Sequence, residues 1–427
     1  MKLHIEKPLY GGACLARHEG QAVFVPFTLP GETVDARIIE NKGSYSTAEL
    51  DSVLEPSPTR TDAPCPYFGT CGGCHYQHAT YAAQVEMKID ILHETLERAR
   101  IREIPAITAL TGEPLGYRNR IRLHVQREPF ALCYKLRRSH ANLPVATCPI
   151  AAPSLQNAIA ILTREAPAVG FAEWATEVEL FTNRDDSALL AAFWTKHPDG
   201  EAPRLLKELW PRLQQHLPAL VGAGIFSVEQ RRQPSRLLAH NGEPSLHYKI
   251  AGRSYRVSIG SFFQVNRSLL DPLVESVTAN ESGASAWDLY SGVGLFSLPL
   301  AEKFSQVTAV ESSASSVRDL RENLRGTHHR IVAADTAVFL SRAVQQRTPA
   351  PDLIVLDPPR AGLGREVTTA LGQIRAPRLT YVSCDPSTLS RDLAALLQAG
   401  YTIRSIRLVD LFPQTYHLES VVHLTRD

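Results

Sequence analysis

Two stretches in the last quarter of the chain restrict its fold more than any other feature. Asp352-Leu-Ile-Val-Leu-Asp357-Pro-Pro-Arg360 and Leu379-Thr-Tyr-Val-Ser-Cys384-Asp-Pro386 are short apolar, β-branched runs that each stop at a polar residue and a proline. Proline cannot donate to a sheet ladder, so pairing ends there. An apolar run of this length bounded by turn signals reads as a buried strand. In an open α/β sheet, ligands bind beyond the carboxyl ends of the strands. If the two strands are neighbours, Cys384 and Asp357 face one cleft. A free cysteine is most often a small buried hydrophobe, but the strand-end position and the polar Ser-Cys-Asp-Pro context favour a chemical role for Cys384.

From about residue 281 the pattern is regular βα. Trp287-Asp288-Leu-Tyr290 runs into Ser-Gly292-Val-Gly294, a turn at which a nucleotide can approach the backbone closely. The lone G-x-G is a weak signal, because Ser297 stands where a third glycine would. The next strand pattern, Val307–Val310, ends at Glu311, 19 residues after Gly292, where a carboxylate can accept both hydroxyls of a ribose. Asp335 ends the third pattern. Each acid alone suits a helix N-cap; Glu311, Asp335 and Asp357 at three strand ends suggest a nucleoside-binding sheet. Upstream, Ser258-Ile-Gly-Ser-Phe-Phe-Gln264-Val-Asn266 sets apolar residues around two amides, a pattern with no reading of its own. Near the end, His417-Leu-Glu419 opens the last strand pattern, and Glu419 reads either as a general base or as a rim carboxylate.

The front of the chain is different. Residues 1 to about 55 carry short strand patterns punctuated by glycine turns, the texture of a small β barrel of the oligonucleotide-binding kind. Asp51 to Pro66 is proline-rich and reads as a linker. It runs into Cys65-Pro-Tyr-Phe-Gly-Thr-Cys71-Gly-Gly-Cys74, a tight cluster with spacing suited to a metal centre. Three thiolates need a fourth ligand, and Cys148 repeats the Cys-Pro context of Cys65. Spacing leaves zinc and iron–sulfur both open. The seven cysteines are an odd number, which in a cytosolic chain points to metal or catalysis before disulfides. Tyr81 to Glu103 is a helix pattern, with Ile89, Leu92, Leu96 and Ala99 in one stripe and charges on the other faces. In Tyr117-Arg118-Asn-Arg120-Ile-Arg122-Leu-His124, a strand would turn Ile121 and Leu123 one way and the arginines the other, a row that reads as a phosphate track or as a solvated face. Arg204–Leu217 reads as a helix interrupted by Pro211. The net charge of the 427 residues is only +1, so any basic surface must be local. No stretch of 18 apolar residues marks a membrane span, and Met1-Lys-Leu-His-Ile-Glu6 lacks the apolar run of a signal peptide. The expectation is a cytoplasmic protein.

Taken together, Ser-Phe-Phe-Gln264-Val-Asn, Asp288-Leu-Tyr290-Ser-Gly-Val-Gly, Asp357-Pro-Pro-Arg360, Ser-Cys384-Asp-Pro and His417-Leu-Glu419 resemble, in order and spacing, the uracil-5 RNA methyltransferases that use S-adenosylmethionine. The cysteine cluster and the Tyr-Arg-Asn-Arg strand match as well, and the front resembles a TRAM domain, an RNA-binding barrel. This layout is similar to the bacterial 23S rRNA enzymes more than to the bacterial tRNA enzyme, which lacks both front parts. Two departures stand out. Leu295 replaces an asparagine after the glycines, and Ser-Cys-Asp-Pro replaces the commoner Ser-Cys-Asn-Pro, which alters how the following turn can hydrogen-bond.

The resemblance implies an α/β fold. A class I, Rossmann-like S-adenosylmethionine-dependent methyltransferase domain would span 256–427. An OB-like TRAM barrel for RNA binding would span 1–56, and a central iron–sulfur α+β domain 57–255, with helix 81–103 free to pack on the catalytic domain. It implies a [4Fe–4S] cluster on Cys65, Cys71, Cys74 and Cys148, and S-adenosylmethionine contacts from Gln264, Tyr290, Glu311, Asp335 and Asp357. It implies Cys384 as nucleophile and Glu419 as base in methylating carbon 5 of a uridine, with rRNA as the expected partner, tRNA as the alternative, no membrane, and a monomeric enzyme. An ordinary thiol is only about one-tenth ionised at pH 7.5, so local activation of Cys384 is expected. Three rivals stay open on the residues alone, the most distant being a nicotinamide oxidoreductase, disfavoured by the missing third glycine. An amino-group methyltransferase, suggested by Asp357-Pro-Pro, would need no cysteine. A non-catalytic iron–sulfur RNA-binding protein would not bind the methyl donor.

Overall fold

A computed structural model describes residues 1–427 except 199, 230–234, 328 and 427. At the front, strands Lys2–Pro8, Ala13–His18, Gln21–Pro26, Thr33–Asn41 and Tyr45–Glu55 close into a barrel, the fifth lying between the third and the fourth. Strict alternation in the sequence makes this possible: Leu3, Ile5, Val23, Val25, Val34 and Ala36 point inward and form its core. The fifth strand runs to Glu55, so the proline-rich connector is shorter than its composition suggests. The connector is also tied down. Buried Glu32 accepts from Arg60 Nε at 2.5 Å, from Leu29 N at 2.8 Å and from Ser57 N at 3.2 Å. Burial pushes this carboxyl up, but Arg60 and the backbone donors hold it below the ordinary carboxylate range.

The middle of the chain builds a seven-stranded sheet with Glu177–Thr182 and Leu189–Thr195 near its centre. Leu189–Thr195 is buried at every position because both faces of the sheet are covered. Helices Pro153–Glu165 and Ala202–His216 fill one side with Leu155, Ile159, Leu206 and Leu209, against Ile121, Leu123 and Phe193. The helix runs through Pro211, because Leu209 and Leu213 on either side of it are buried in this core and packing outweighs the lost backbone bond. On the other face, Phe181, Trp194 and Phe226 pack on Tyr248, Phe263 and Leu270 of the following segment.

The predicted arginine row forms only in part. The strand begins at Arg120, and Ile121 and Leu123 are buried as their alternation requires. The arginines themselves are engaged within the fold. Arg120 stacks 4.1 Å over Phe181 and donates to Ser261 O at 2.6 Å; Arg122 stacks 4.0 Å over Trp194 and pairs with Glu177. Most of these contacts stay within the one sheet, and Arg120 alone reaches Ser261 of the following segment, while Arg122 remains half exposed.

The last sheet has eight strands, in the order Arg330–Ala333, Phe304–Glu311, Gly283–Leu289, Leu353–Leu356, Arg378–Ser383, Glu419–Thr425, Thr402–Val409 and Ile107–Leu110. Glu419–Thr425 is antiparallel to both neighbours, and the remaining pairs are parallel. Ile107–Leu110 comes from the segment preceding the seven-stranded sheet, and so does helix Tyr81–Arg98, whose Leu92 and Leu96 join Leu389, Leu393 and Leu396 in one core. That helix does not keep all its charges outside. Lys88 is fully buried and donates to Asp410 at 2.5 Å and to Phe412 O at 2.9 Å. Among the described residues no helix is long and apolar enough to cross a membrane.

Candidate active site

The reversed strand is what assembles the site. Because Glu419–Thr425 runs against Arg378–Ser383, its beginning lies at the edge where its neighbour ends, and Ser383 pairs with Ser420. One step further along the same register, Cys384 stands beside Glu419. On the other side of Cys384, the strand Leu353–Leu356 pairs in parallel with Arg378–Ser383 and delivers Asp357 to the same edge. Arg360, at the end of the Pro-Pro turn, completes the group. Its Nη2 lies 3.4 Å from Nδ1 of His417, and its charge acts on Cys384 and Glu419 alike.

Burial dominates the electrostatics here. It pushes the Cys384 thiol up to about 12, reinforced by the negative charges of Glu419 and Asp357 and opposed by Arg360. The expected activation of the thiol is therefore reversed, first by burial and then by the two carboxylates that share its hollow. Burial raises Asp357 to about 7, against the pull of the Gln264 amide, whose Nε2 lies 3.4 Å from Asp357 Oδ2. Glu419, 3% exposed, is raised well above the ordinary carboxylate value by burial and then by Asp357, with Arg360 opposing. Burial, followed by the Arg360 charge, pushes His417 down to about 3, so its imidazole is neutral at pH 7.

The rest of the carboxyl edge carries the other predicted residues. Tyr290 follows Gly283–Leu289 with a left-handed φ of 63°, a conformation costing a non-glycine residue about 1–3 kcal/mol and characteristic of functional turns. Glu311 accepts from Gly292 N at 2.9 Å through Oε2, and from Ser312 N and Ser313 N at 2.7 and 2.6 Å through Oε1. It knits the glycine turn to the neighbouring strand end. Asp335 caps helix Thr336–Gln345, its Oδ1 accepting from Ala337 N at 2.8 Å.

Sequence reasoning passed over several residues at this edge. Asp288 is wholly buried and accepts from the Ser297 hydroxyl, while its Oδ1 has no partner. Burial, then the charges of Asp357 and Glu311, raise it to about 7 although Ser297 pulls the other way. The amide-rich stretch acquires a reading from its partners. Asn119 Nδ2 donates to Gln264 O at 3.0 Å and to Tyr248 OH at 3.1 Å, and Asn266 Nδ2 donates to Leu411 O at 3.1 Å. These bonds hold Gln264 over Asp357, and their partners are far away in the sequence.

Cys65, Cys71, Cys74 and Cys148 line one cavity of about 390 Å³, with Tyr67 and Arg118 among its other walls. Gly72 N donates to Lys135 O at 3.0 Å, which turns the cysteine loop onto the neighbouring strand. Among the described residues no three His, Cys, Asp or Glu side chains gather to hold a single metal ion. The cysteine segment also touches the loop leading to the carboxyl edge. His75 N and Tyr76 N both donate to Gln414 O, at 2.8 and 3.0 Å, and Gln414, in a left-handed turn with φ of 69°, exchanges hydrogen bonds with Gln84. Gln414 lies in the loop that leads into Glu419.

The model of the tRNA (Uracil-5-)-methyltransferase family matches residues 80–427, and that of the TRAM domain matches residues 1–50. The chain belongs to this family of RNA uracil-5 methyltransferases. It is 33% identical to an uncharacterized RNA methyltransferase of Aquifex aeolicus over 99% of this chain and 98% of the other. It is 31% identical to the 23S rRNA (uracil(1939)-C(5))-methyltransferase RlmD of Pectobacterium atrosepticum, over 97% and 91%. The crystal structure of Pyrococcus abyssi tRNA (uracil-54, C5)-methyltransferase in complex with S-adenosyl-L-homocysteine superposes with a TM-score of 0.78 at 22% identity, covering 100% of both chains. That likeness shows a shared fold.

Proposed function

We propose that the protein transfers a methyl group from S-adenosylmethionine to carbon 5 of a uridine in 23S rRNA, with Cys384 as nucleophile and Glu419 as base. The observation that carries this is the strand register that sets Cys384 beside Glu419, with Asp357 and Gln264 at the same edge. A relative named for a 23S rRNA uracil supports the choice of RNA. The family's own description favours tRNA as the second reading.

The acids along the edge suit a cationic donor: Glu311 bonds the glycine turn and buried Asp288 and Asp357 carry raised carboxyls, charges favoured once a positive group enters. Gln264, Tyr290, Glu311, Asp335 and Asp357 are the residues assigned to that donor, which supplies an electrophilic sulfonium methyl. Carbon 5 of uracil is a poor nucleophile. Addition of Cys384 sulfur to carbon 6 places electron density on carbon 5, which forms the new carbon–carbon bond as the sulfonium–methyl bond breaks. Glu419 then takes the proton from carbon 5, and cleavage of the carbon 6–sulfur bond releases the thiolate. A carboxylate raised toward neutrality is matched to that proton transfer. The base must leave its stack to reach this edge, which favours an RNA loop as substrate.

The division into a barrel (1–56), a central domain (57–255) and a catalytic domain (256–427) is part of this reading, with the barrel gripping RNA. The enzyme is taken to act as a monomer. The four cysteines line one cavity, and the resemblance assigns them a [4Fe–4S] cluster, with zinc as the alternative. Cys65, Cys71, Cys74 and Cys148 would hold the cluster and thereby brace the loop on which Gln414 rests. Cys74→Ser should lower bound iron and inorganic sulfide and depress the melting temperature; full iron and sulfide in that variant would remove Cys74 from the ligand set.

The test of function is a map of 5-methyluridine in rRNA and tRNA from cells with and without the gene. One uridine or a few in 23S rRNA should lose the mark. A loss confined to tRNA would overturn the choice of RNA, and no loss anywhere would overturn the activity.

A further inference from the structure

Tyr10 stands at the tip of the first barrel hairpin, between Lys2–Pro8 and Ala13–His18. The tip is pressed against the cysteine segment: a Cβ on Gly12, whose φ is +87°, would lie 2.9 Å from the His75 ring. The Tyr10 ring meets Tyr416 edge-on at 5.5 Å, and Tyr416 in turn meets His75 at 4.5 Å and His417 at 4.4 Å. Three parts of the chain thus converge above the catalytic edge. The Tyr10 hydroxyl goes further and donates to Asp385 Oδ2 at 3.0 Å.

Asp385 directly follows Cys384. Its other oxygen, Oδ1, accepts from Ser387 N at 2.9 Å and Thr388 N at 3.0 Å and so caps helix Pro386–Gln398. A carboxylate has acceptors for both tasks. An asparagine has one carbonyl oxygen, which the cap would occupy, leaving its amide to face the tyrosine with the opposite polarity. The aspartate at this position therefore has a partner in the barrel.

We propose that Tyr10 is a positioning residue: through Asp385 it fixes the turn that bears Cys384, so that seating of the RNA-binding barrel on the catalytic domain sets the placement of the nucleophile. This rests on the assignment of Cys384 as nucleophile. The hydrogen bond spans 375 residues of sequence and joins two domains, so it forms only when the barrel is docked. The site is complete only in the docked arrangement.

The experiment is a double-mutant cycle with Tyr10→Phe and Asp385→Asn, measuring methyl transfer to total RNA from cells that lack the gene. Tyr10→Phe keeps the ring against Tyr416 and removes one hydroxyl; Asp385→Asn keeps a capping oxygen. In the natural background Tyr10→Phe should lower kcat about tenfold, the scale expected of a misplaced reacting group, with the apparent KM for RNA within about twofold. In the Asp385→Asn background the same change should cost less than about twofold, because the bond it removes is already altered. Equal losses in both backgrounds, or a loss in KM alone, would overturn the coupling. Cys384→Ala run in parallel separates the two ideas: an inactive Cys384→Ala with a fully active Tyr10→Phe rejects only the coupling, whereas an active Cys384→Ala rejects the nucleophile.

Discussion

Cys384→Ala is expected to abolish methyl transfer while the protein still binds S-adenosylmethionine with little change in affinity. The sulfur has no substitute at this edge. Without addition to carbon 6, carbon 5 lacks the electron density to displace the methyl group, and loss of a covalent nucleophile typically costs more than about 10⁴-fold in turnover. The donor's assigned contacts, Tyr290, Glu311 and Asp335, belong to other strand ends, so calorimetric titration should look natural. A variant that keeps transferring methyl groups would point instead to amino-group chemistry, which needs no thiol. Burial, then the charges of Glu419 and Asp357, raises the Cys384 thiol. An arriving sulfonium would offset the carboxylates that hold the proton on.

Glu419→Gln should leave addition intact and block completion, so that a covalent protein–RNA adduct accumulates and survives denaturing electrophoresis. Glutamine fills the same space but cannot take the carbon 5 proton. Removal of a positioned base costs about 10²–10⁴-fold. Normal turnover without a trapped species would remove Glu419 from the role of base.

The strands that carry these residues were legible in sequence because buried parallel strands write themselves as unbroken apolar runs. Leu353–Leu356 and Arg378–Ser383 could be recognised together with the polar residues that end them, and the cysteine cluster carried its own spacing. What escaped was set by partners remote in the chain. The alternation of Ile121 and Leu123 with arginines was correctly periodic. Its destination was not readable, because Phe181 and Trp194, on which Arg120 and Arg122 stack, lie on other strands. Ile107–Leu110 is four residues long and has no pattern of its own, yet it completes the catalytic sheet. Lys88 sits within an apparently amphipathic helix on the charged side of no stripe, and only the carboxylate of Asp410 explains its burial. The thiol's resistance to ionisation required knowing that three strand ends meet.

The reversed strand also governs when the molecule becomes whole. Glu419–Thr425 is inserted between Arg378–Ser383 and Thr402–Val409, both synthesised before it. A nascent chain stopped short of residue 419 would carry Cys384 without the Glu419 carboxylate and with a vacant lane within its sheet. The two flanking strands would then offer unpaired edges to any other chain nearby. Competence and protection against aggregation therefore arrive together, with the same seven residues.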